Sequence, residues 1–259
     1  MNPLKAALAV AILIIICQSQ SFSQTKHPVH KSIISTRMEI LYFKHNDSSS
    51  LEDQQDTLKI PVVSDKYPRL KKALSFENIG DSDGLDSAKA TFAGCACGIT
   101  SMDYEITYEG KDIISLKVFT EGMGAYPSSS TQWLTYNIHT GEHYSIKNEV
   151  NTAGLQWLFK SYKALLRKRL AEDREYHKKD TNETQEEYTR VYNEEKESID
   201  TLSLNGLISS YVFVGTRGIT FTTEGILPHV IQALEPDRDW FIPYNRLRKY
   251  KQPHALVIK

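Results

Sequence analysis

The sequence predicts an α+β fold, with antiparallel sheet hairpins packed against one long amphipathic helix and shorter helices. Three observations predict it. Residues 104–146 hold three strand-like runs punctuated by two glycine turns. After Asn148 the apolar period changes from two to 3.6, which is the change from strand to helix. From Tyr211 onward the strand-like runs return.

Taken in order, residues 32–44 are rich in β-branched and aromatic side chains. Met38, Ile40 and Tyr42 alternate there with Arg37, Glu39 and Leu41, so the run reads as a strand. Residues 45–56 have no apolar period and read as a polar loop. Residues 58–63 form a second short strand, in which Pro61 predicts an edge position or a bulge because it has no N–H to donate. Pro68 opens a short helix carrying Leu70, Ala73 and Leu74 at helical spacing. A turn at residues 81–84 and a helical run at 85–92 lead into Gly-Cys-Ala-Cys-Gly.

Tyr104, Ile106 and Tyr108 alternate with Glu105 and Thr107, and Ile114, Leu116 and Val118 repeat the pattern after a turn, so the two runs form a hairpin. Residues 121–130 read as a ten-residue loop. Residues 133–138 and 144–146 then flank Thr140-Gly141, a second hairpin turn. Leu155, Leu158, Phe159, Tyr162, Leu165, Leu166 and Leu170 share one helical face, with Asn151 or Thr152 as cap. The charge-dense run after Glu172 reads as a solvated surface broken near residues 180–184, and helix resumes with Tyr188, Val191 and Tyr192. Strands at 211–214 and 219–222 form a hairpin, residues 226–234 are ambiguous, residues 240–244 form a strand, and residues 244–250 a basic tail.

The 259 residues allow one large domain or two small ones. The expected divisions are 1–23, a strand-rich half at 24–150, and a helix-then-strand half at 151–259. The two halves are either separate or one composite domain. Residues 1–23 read as a signal peptide: Lys5, an apolar stretch from Ala6 to Ile16, and small residues Ser21 and Ser23 before cleavage at Gln24. That stretch falls short of the roughly 20 apolar residues of a membrane span. The mature chain is thus expected to be exported, periplasmic or extracellular, without a transmembrane segment. Cys17 offers a lipoprotein alternative, but Ile16 stands where a small residue is preferred.

Cleavage would leave 30 basic against 32 acidic side chains. That balance predicts no nucleic-acid footprint and no purely electrostatic hold on anionic lipid. Cys95 and Cys97 are structural cysteines on this reading, either buried or bridged with help from Gly94 and Gly98. No third and fourth ligand stand at metal spacing, so neither metal nor cofactor is predicted. His139 and His143 bracket a turn and read as surface histidines. Glu194-Glu195 reads as part of a solvated helix face. No nucleophile elbow and no phosphate loop occurs, so no catalytic residue is assigned. In the 121–130 loop, glycines, serines and Tyr126 are residues that favour recognition. Met123, Tyr126 and the following Trp133 are the candidate ligand-binding residues.

Tyr67-Pro68-x-Leu70, Tyr104-x-x-Thr107-Tyr108, Ile114-Ser115-Leu116, Gly122-x-Gly124-Ala125, Tyr136-Asn137 and Thr140-Gly141 occur in one order. In that order they resemble the RsiV/PdaC-like extracytoplasmic domain of unknown function. It is shared by a lysozyme-sensing anti-sigma factor and a polysaccharide deacetylase. Tyr211-Val212-Phe213, Gly218-Ile219-Thr220-Phe221 and Ile242-Pro243-Tyr244-x-x-Leu247 are similar to the unit that follows it in that family. The resemblance implies an α+β fold, an envelope location and, from one member, binding of lysozyme. The family's Gly-Gly-Ala-His loop is Gly122-Met123-Gly124-Ala125-Tyr126-Pro127 here, so the role of that histidine is not inherited. Neither sigma-factor control nor deacetylation carries over, because the segments that perform them are missing. The expected function is an exported envelope binding module for an extracellular protein such as lysozyme or for cell-wall glycan. The alternative is an envelope hydrolase using carboxylates between the two halves.

Overall fold

Alternation and register together build the first sheet. The structure is a computed structural model that describes residues 32–44, 53–177, 185–223 and 237–259. Five strands lie in sequence order: β1 (Ile34–Phe43), β2 (Gln54–Val63), β3 (Gly98–Glu109), β4 (Ile113–Met123) and β5 (Pro127–Asn137). All neighbours are antiparallel except β2 and β3, whose parallel pairing is confined to Leu58 and Met102. The connection between those parallel strands carries α1 (Pro68–Ala73), α2 (Phe76–Ile79) and α3 (Leu85–Cys95). Helix α1 packs on β2, and α3 packs on β1 and β3.

One sequence expectation changes here. Pro61 lies in a strand bordered on both sides, not on an edge or in a bulge. It is tolerated because the ladder to β3 ends before it, which leaves that flank without a bond to miss. On β1 the apolar row faces outward: Met38, Ile40 and Tyr42 are 56%, 42% and 55% exposed. Leu41 is buried on the opposite face, where Glu39 bonds Lys89 of α3. Alternation identifies a strand but does not choose which face meets the core.

The second sheet is β6 (Tyr211–Val214), β7 (Gly218–Thr222) and β8 (Trp240–Pro243), all antiparallel. Beside it run the 26-residue α4 (Thr152–His177), α5 (Gln185–Thr201) and the short α6 (Leu204–Ile208). Asn151 caps α4 through its side-chain oxygen, which accepts the Gly154 N–H at 2.9 Å. Leu158, Tyr162, Leu166 and Leu170 of α4 share a core with Val212, Val214, Ile219, Phe221 and Ile242. The expected break at 180–184 and the ambiguous stretch 226–234 lie outside the described residues. The expected basic tail is instead α7 (Tyr244–Leu247) followed by a 3₁₀ turn at Arg248–Tyr250. Leu247 is buried there while its charged neighbours face outward.

Strand β4 joins the two sheets because both of its faces are buried. Leu116 and Val118 point to one side. Ile113 and Ser115 point to the other, and Ile113 belongs to the core of the second sheet. The Ser115 hydroxyl accepts the Val214 N–H at 3.2 Å and shares a 2.7 Å bond with Thr135. The Thr107 hydroxyl donates to the Val214 carbonyl at 3.2 Å. Strand β6 is thereby seated across β3, β4 and β5.

Candidate functional site

The expected loop at 121–130 is not a loop. β4 and β5 pair without interruption out to Met123 and Pro127, leaving only Gly124, Ala125 and Tyr126 unpaired. The serines read as loop residues are strand residues: Ser130, Ser129 and Ser128 lie opposite Thr120, Glu121 and Gly122. Cross-strand hydroxyl bonds replace apolar packing, with Thr120 and Ser130 at 2.9 Å. A polar strand exposed on both faces has no apolar alternation to read, so it resembled a loop.

This geometry separates the three candidate residues. Met123 and Tyr126 are 40% and 82% exposed at the hairpin tip. Trp133 lies opposite Lys117, six residues back along the strand, or about 20 Å at strand rise. What joins the tip instead is the cysteine pair. Gly98, the first residue after Cys97, pairs with Met123. Cys95 and Cys97 are disulfide-bonded across 5.1 Å between their Cα atoms. Of the two readings left open, burial fails for Cys95, which is exposed. The turn that the bridge requires comes from Ala96 at φ 51° with Gly98 at φ 81°.

Trp133 is held from both sides. The Phe213 ring stacks on it at 3.7 Å and 10°, and the Lys117 ammonium lies 4.6 Å from its centroid. With a ring against one face, the cation has room only over the other. Lys117 also lies 4.5 Å from Phe119, so a cation sits between two aromatic rings on the sheet. The indole therefore offers a ligand its edge, not its face. That edge lines a cavity of about 540 Å³ bounded by β5, α6 and β6. Tyr211, 43% exposed, forms another aromatic wall, and Ser145 and Ser209 contribute hydroxyls.

His143 and Tyr144 also line this cavity. The strand expected at 144–146 does not form: beyond Asn137 the pairing is reduced to a bridge between Tyr136 and His143, and Ile146–Asn148 is a 3₁₀ turn. The Thr140-Gly141 turn does form, with Gly141 at φ 68°. A Cβ there would come within 2.7 Å of the Arg69 backbone, so the position requires glycine twice over. His143 is exposed, as the sequence predicts, but packs one side on the Tyr136 ring at 4.3 Å, and the water lost from that side holds its imidazole below the usual range. His139 turns instead toward Asp112 at 3.4 Å. Burial, reinforced by the Glu149 charge, holds the Tyr144 phenol well above its usual range. Its hydroxyl is buried without a hydrogen-bond partner among the described residues.

Two buried carboxylates have structural partners. Glu195, read with Glu194 as solvated, is 1% exposed and receives the Arg238 guanidinium at 2.6 Å. Its position was missed because the partner lies 43 residues away. Only Glu194 is on the exposed side, bonded to Arg190 at 2.8 Å. Glu149 accepts the backbone N–H groups of Leu256, Val257 and Ile258 at 2.8, 3.1 and 3.1 Å, and so binds the last residues to the core. A second cavity, of about 580 Å³, lies between β2 and α1–α2. Two of its rim cations are already paired, Lys71 with Asp65 and Arg37 with Glu39. Among the described residues no group of three or more metal-binding side chains is assembled, and neither cavity is lined by a pair of facing carboxylates.

No family model and no curated protein matches the chain. Its solved structural neighbours are members of DUF3298, an uncharacterised domain family. The fold is similar to the crystal structure of a DUF3298 family protein from Pseudomonas aeruginosa PAO1. The TM-score is 0.51 at 10% identity, over 85% of this chain and 94% of that one. A DUF3298 member from Bacteroides fragilis NCTC 9343 aligns over the same shares with a TM-score of 0.49 and 11% identity. At this identity the likeness to the first is one of fold.

Proposed function

We propose that this chain, which shares its fold with a DUF3298 protein, is an exported binding module of the cell envelope. Its cavity beside Trp133 takes cell-wall glycan. The observation that carries this reading is the cavity's wall. It combines the Trp133 edge and the exposed Tyr211 ring with serine hydroxyls, and it lacks the carboxylate pair that glycosidic cleavage requires. Aromatic surface for the apolar faces of a sugar, beside hydroxyls for its own hydroxyls, suits recognition without reaction. The resemblance to RsiV/PdaC-like domains supports the envelope location and the export expected from residues 1–23. Neither the cavity beside Trp133 nor that between β2 and α1–α2 is lined by facing acids that would support the hydrolase alternative.

Calorimetric titration with soluble peptidoglycan fragments tests the reading. The wild type binds, and Tyr211→Ala weakens binding about tenfold, the effect of losing one apolar sugar contact worth roughly 1.4 kcal/mol. Absence of binding, or an unchanged Tyr211→Ala, overturns it. A protein partner such as lysozyme is favoured by one observation, the exposure of Met123 and Tyr126 at the hairpin tip. Tyr126→Ala then weakens a lysozyme pull-down while Tyr211→Ala does not.

A further inference from the structure

We propose that the Cys95–Cys97 disulfide is a thiol–disulfide exchange site for dithiols on an extended polypeptide, with the β4–β5 tip as its docking surface. Four features carry this. First, the bridge is open to solvent at the end of α3, with Cys95 exposed and Cys97 half-buried. Second, it encloses a single residue, so it removes little chain freedom, and the register of Gly98 opposite Met123 already fixes the segment that follows. The fold thus gains little from the bridge. Third, the bridge spans Ala96, the C-cap of α3 at φ 51°, a left-handed conformation that alanine adopts only at a cost. Fourth, the Cys95 sulfur lies 3.2 Å from the Thr91 carbonyl oxygen, an acceptor waiting for the S–H gained on reduction. The neighbouring tip presents Met123 and Tyr126, 40% and 82% exposed, as apolar surface, and Met123 pairs with Gly98, the residue that follows the bridge. Such a surface favours an unfolded or extended chain over a small thiol.

The exchange balances without any further reagent. A thiolate of the polypeptide attacks the Cys95 sulfur, the Cys95–Cys97 bond breaks, and Cys97 leaves as a thiolate that takes a proton from water. The polypeptide's second thiol loses its proton and attacks the mixed disulfide. Cys95 then leaves and is protonated beside Thr91. The polypeptide has lost two electrons and gained a disulfide; Cys95 and Cys97 have gained them as two thiols. The reverse sequence lets the reduced pair open or reshuffle a disulfide in the polypeptide.

The full chain is mixed with a reduced synthetic peptide carrying two cysteines flanked by leucines, or with reduced glutathione. Mass after alkylation reads the course of the reaction. The expected result is oxidised peptide together with two newly alkylated cysteines in the protein. The double variant Met123→Ala/Tyr126→Ala slows the peptide reaction at least about fivefold, the loss of roughly 1 kcal/mol of apolar contact, and leaves the glutathione rate unchanged. Cys97→Ser, offered the peptide in its disulfide form, is expected to trap it covalently on Cys95. A bridge that stays closed in a large excess of peptide dithiol overturns the proposal, as does a tip variant that reacts with peptide at the wild-type rate. Circular dichroism of the tip variant, whose two substitutions are exposed, verifies that a slower rate is not a loss of fold.

Discussion

At the residue scale, side chains of the same type have different fates that only their neighbours explain. Glu194 and Glu195 are adjacent, yet one is exposed and the other is sealed against Arg238. Arg238→Ala leaves the Glu195 carboxylate buried without its guanidinium, and urea unfolding is expected to show a loss of about 3–5 kcal/mol. A change at the exposed Arg190 is expected to cost no more than about 0.5 kcal/mol. His143 makes a pH-dependent prediction. Its folded pKa is depressed because the loss of water from its packed side disfavours the charged ring. The unfolded chain, with an ordinary imidazole near pKa 6.5, takes up a proton that the folded chain does not. The stability tied to the neutral ring is complete above about pH 6.5 and is lost as pH falls toward the depressed value. Urea midpoints at about pH 7.5 and pH 5 are expected to differ more in the wild type than in His143→Gln.

Elements were legible to the extent that their periodicity was apolar. Helix α4 follows its leucine stripe, and of the two caps the sequence offers, Asn151 and Thr152, Asn151 is the one used. The hairpin of β3 and β4 follows its alternation, as does that of β6 and β7. The outer third of the β4–β5 hairpin has no such pattern, since hydroxyls and backbone pairing hold it. The same limit applies between β7 and β8. A Cβ at Gly218 would meet the Ile242 carbonyl oxygen at 2.3 Å, so only glycine lets those strands lie together. Gly218→Ala is therefore expected to cost about 2–3 kcal/mol and to lower the thermal midpoint, because the opposing atom is backbone and cannot turn away. In Cys95→Ser/Cys97→Ser the loss is expected to be smaller, about 1–2 kcal/mol in urea, because the bridge closes so short a ring.

Across the whole molecule, the two sheets meet through β4 and β6, and the meeting is polar at its centre. Ser115, fully buried, supplies the acceptor for the Val214 N–H and a bond to Thr135. Ser115→Ala leaves a buried N–H without its partner. It is expected to cost about 1–3 kcal/mol and to speed hydrogen exchange at Val214, while Ser128→Ala at the exposed tip does neither. The cavity beside Trp133, proposed to take glycan, exists only because of this meeting, as Trp133 comes from one sheet and Tyr211 from the other. The sequence by itself determined the α+β class, the identity and order of the long helix and main hairpins, and the absence of a recognisable catalytic motif. Local periodicity and turn chemistry carry that information within a few residues of chain. The tertiary structure alone decided that Trp133 stands apart from Met123 and Tyr126, that the cysteine pair joins the hairpin tip, and that Glu195 is buried while Met38, Ile40 and Tyr42 are not. Each of these depends on register and on partners distant in sequence. A period of two or 3.6 names an element, but only the packing of its neighbours chooses the face that is covered.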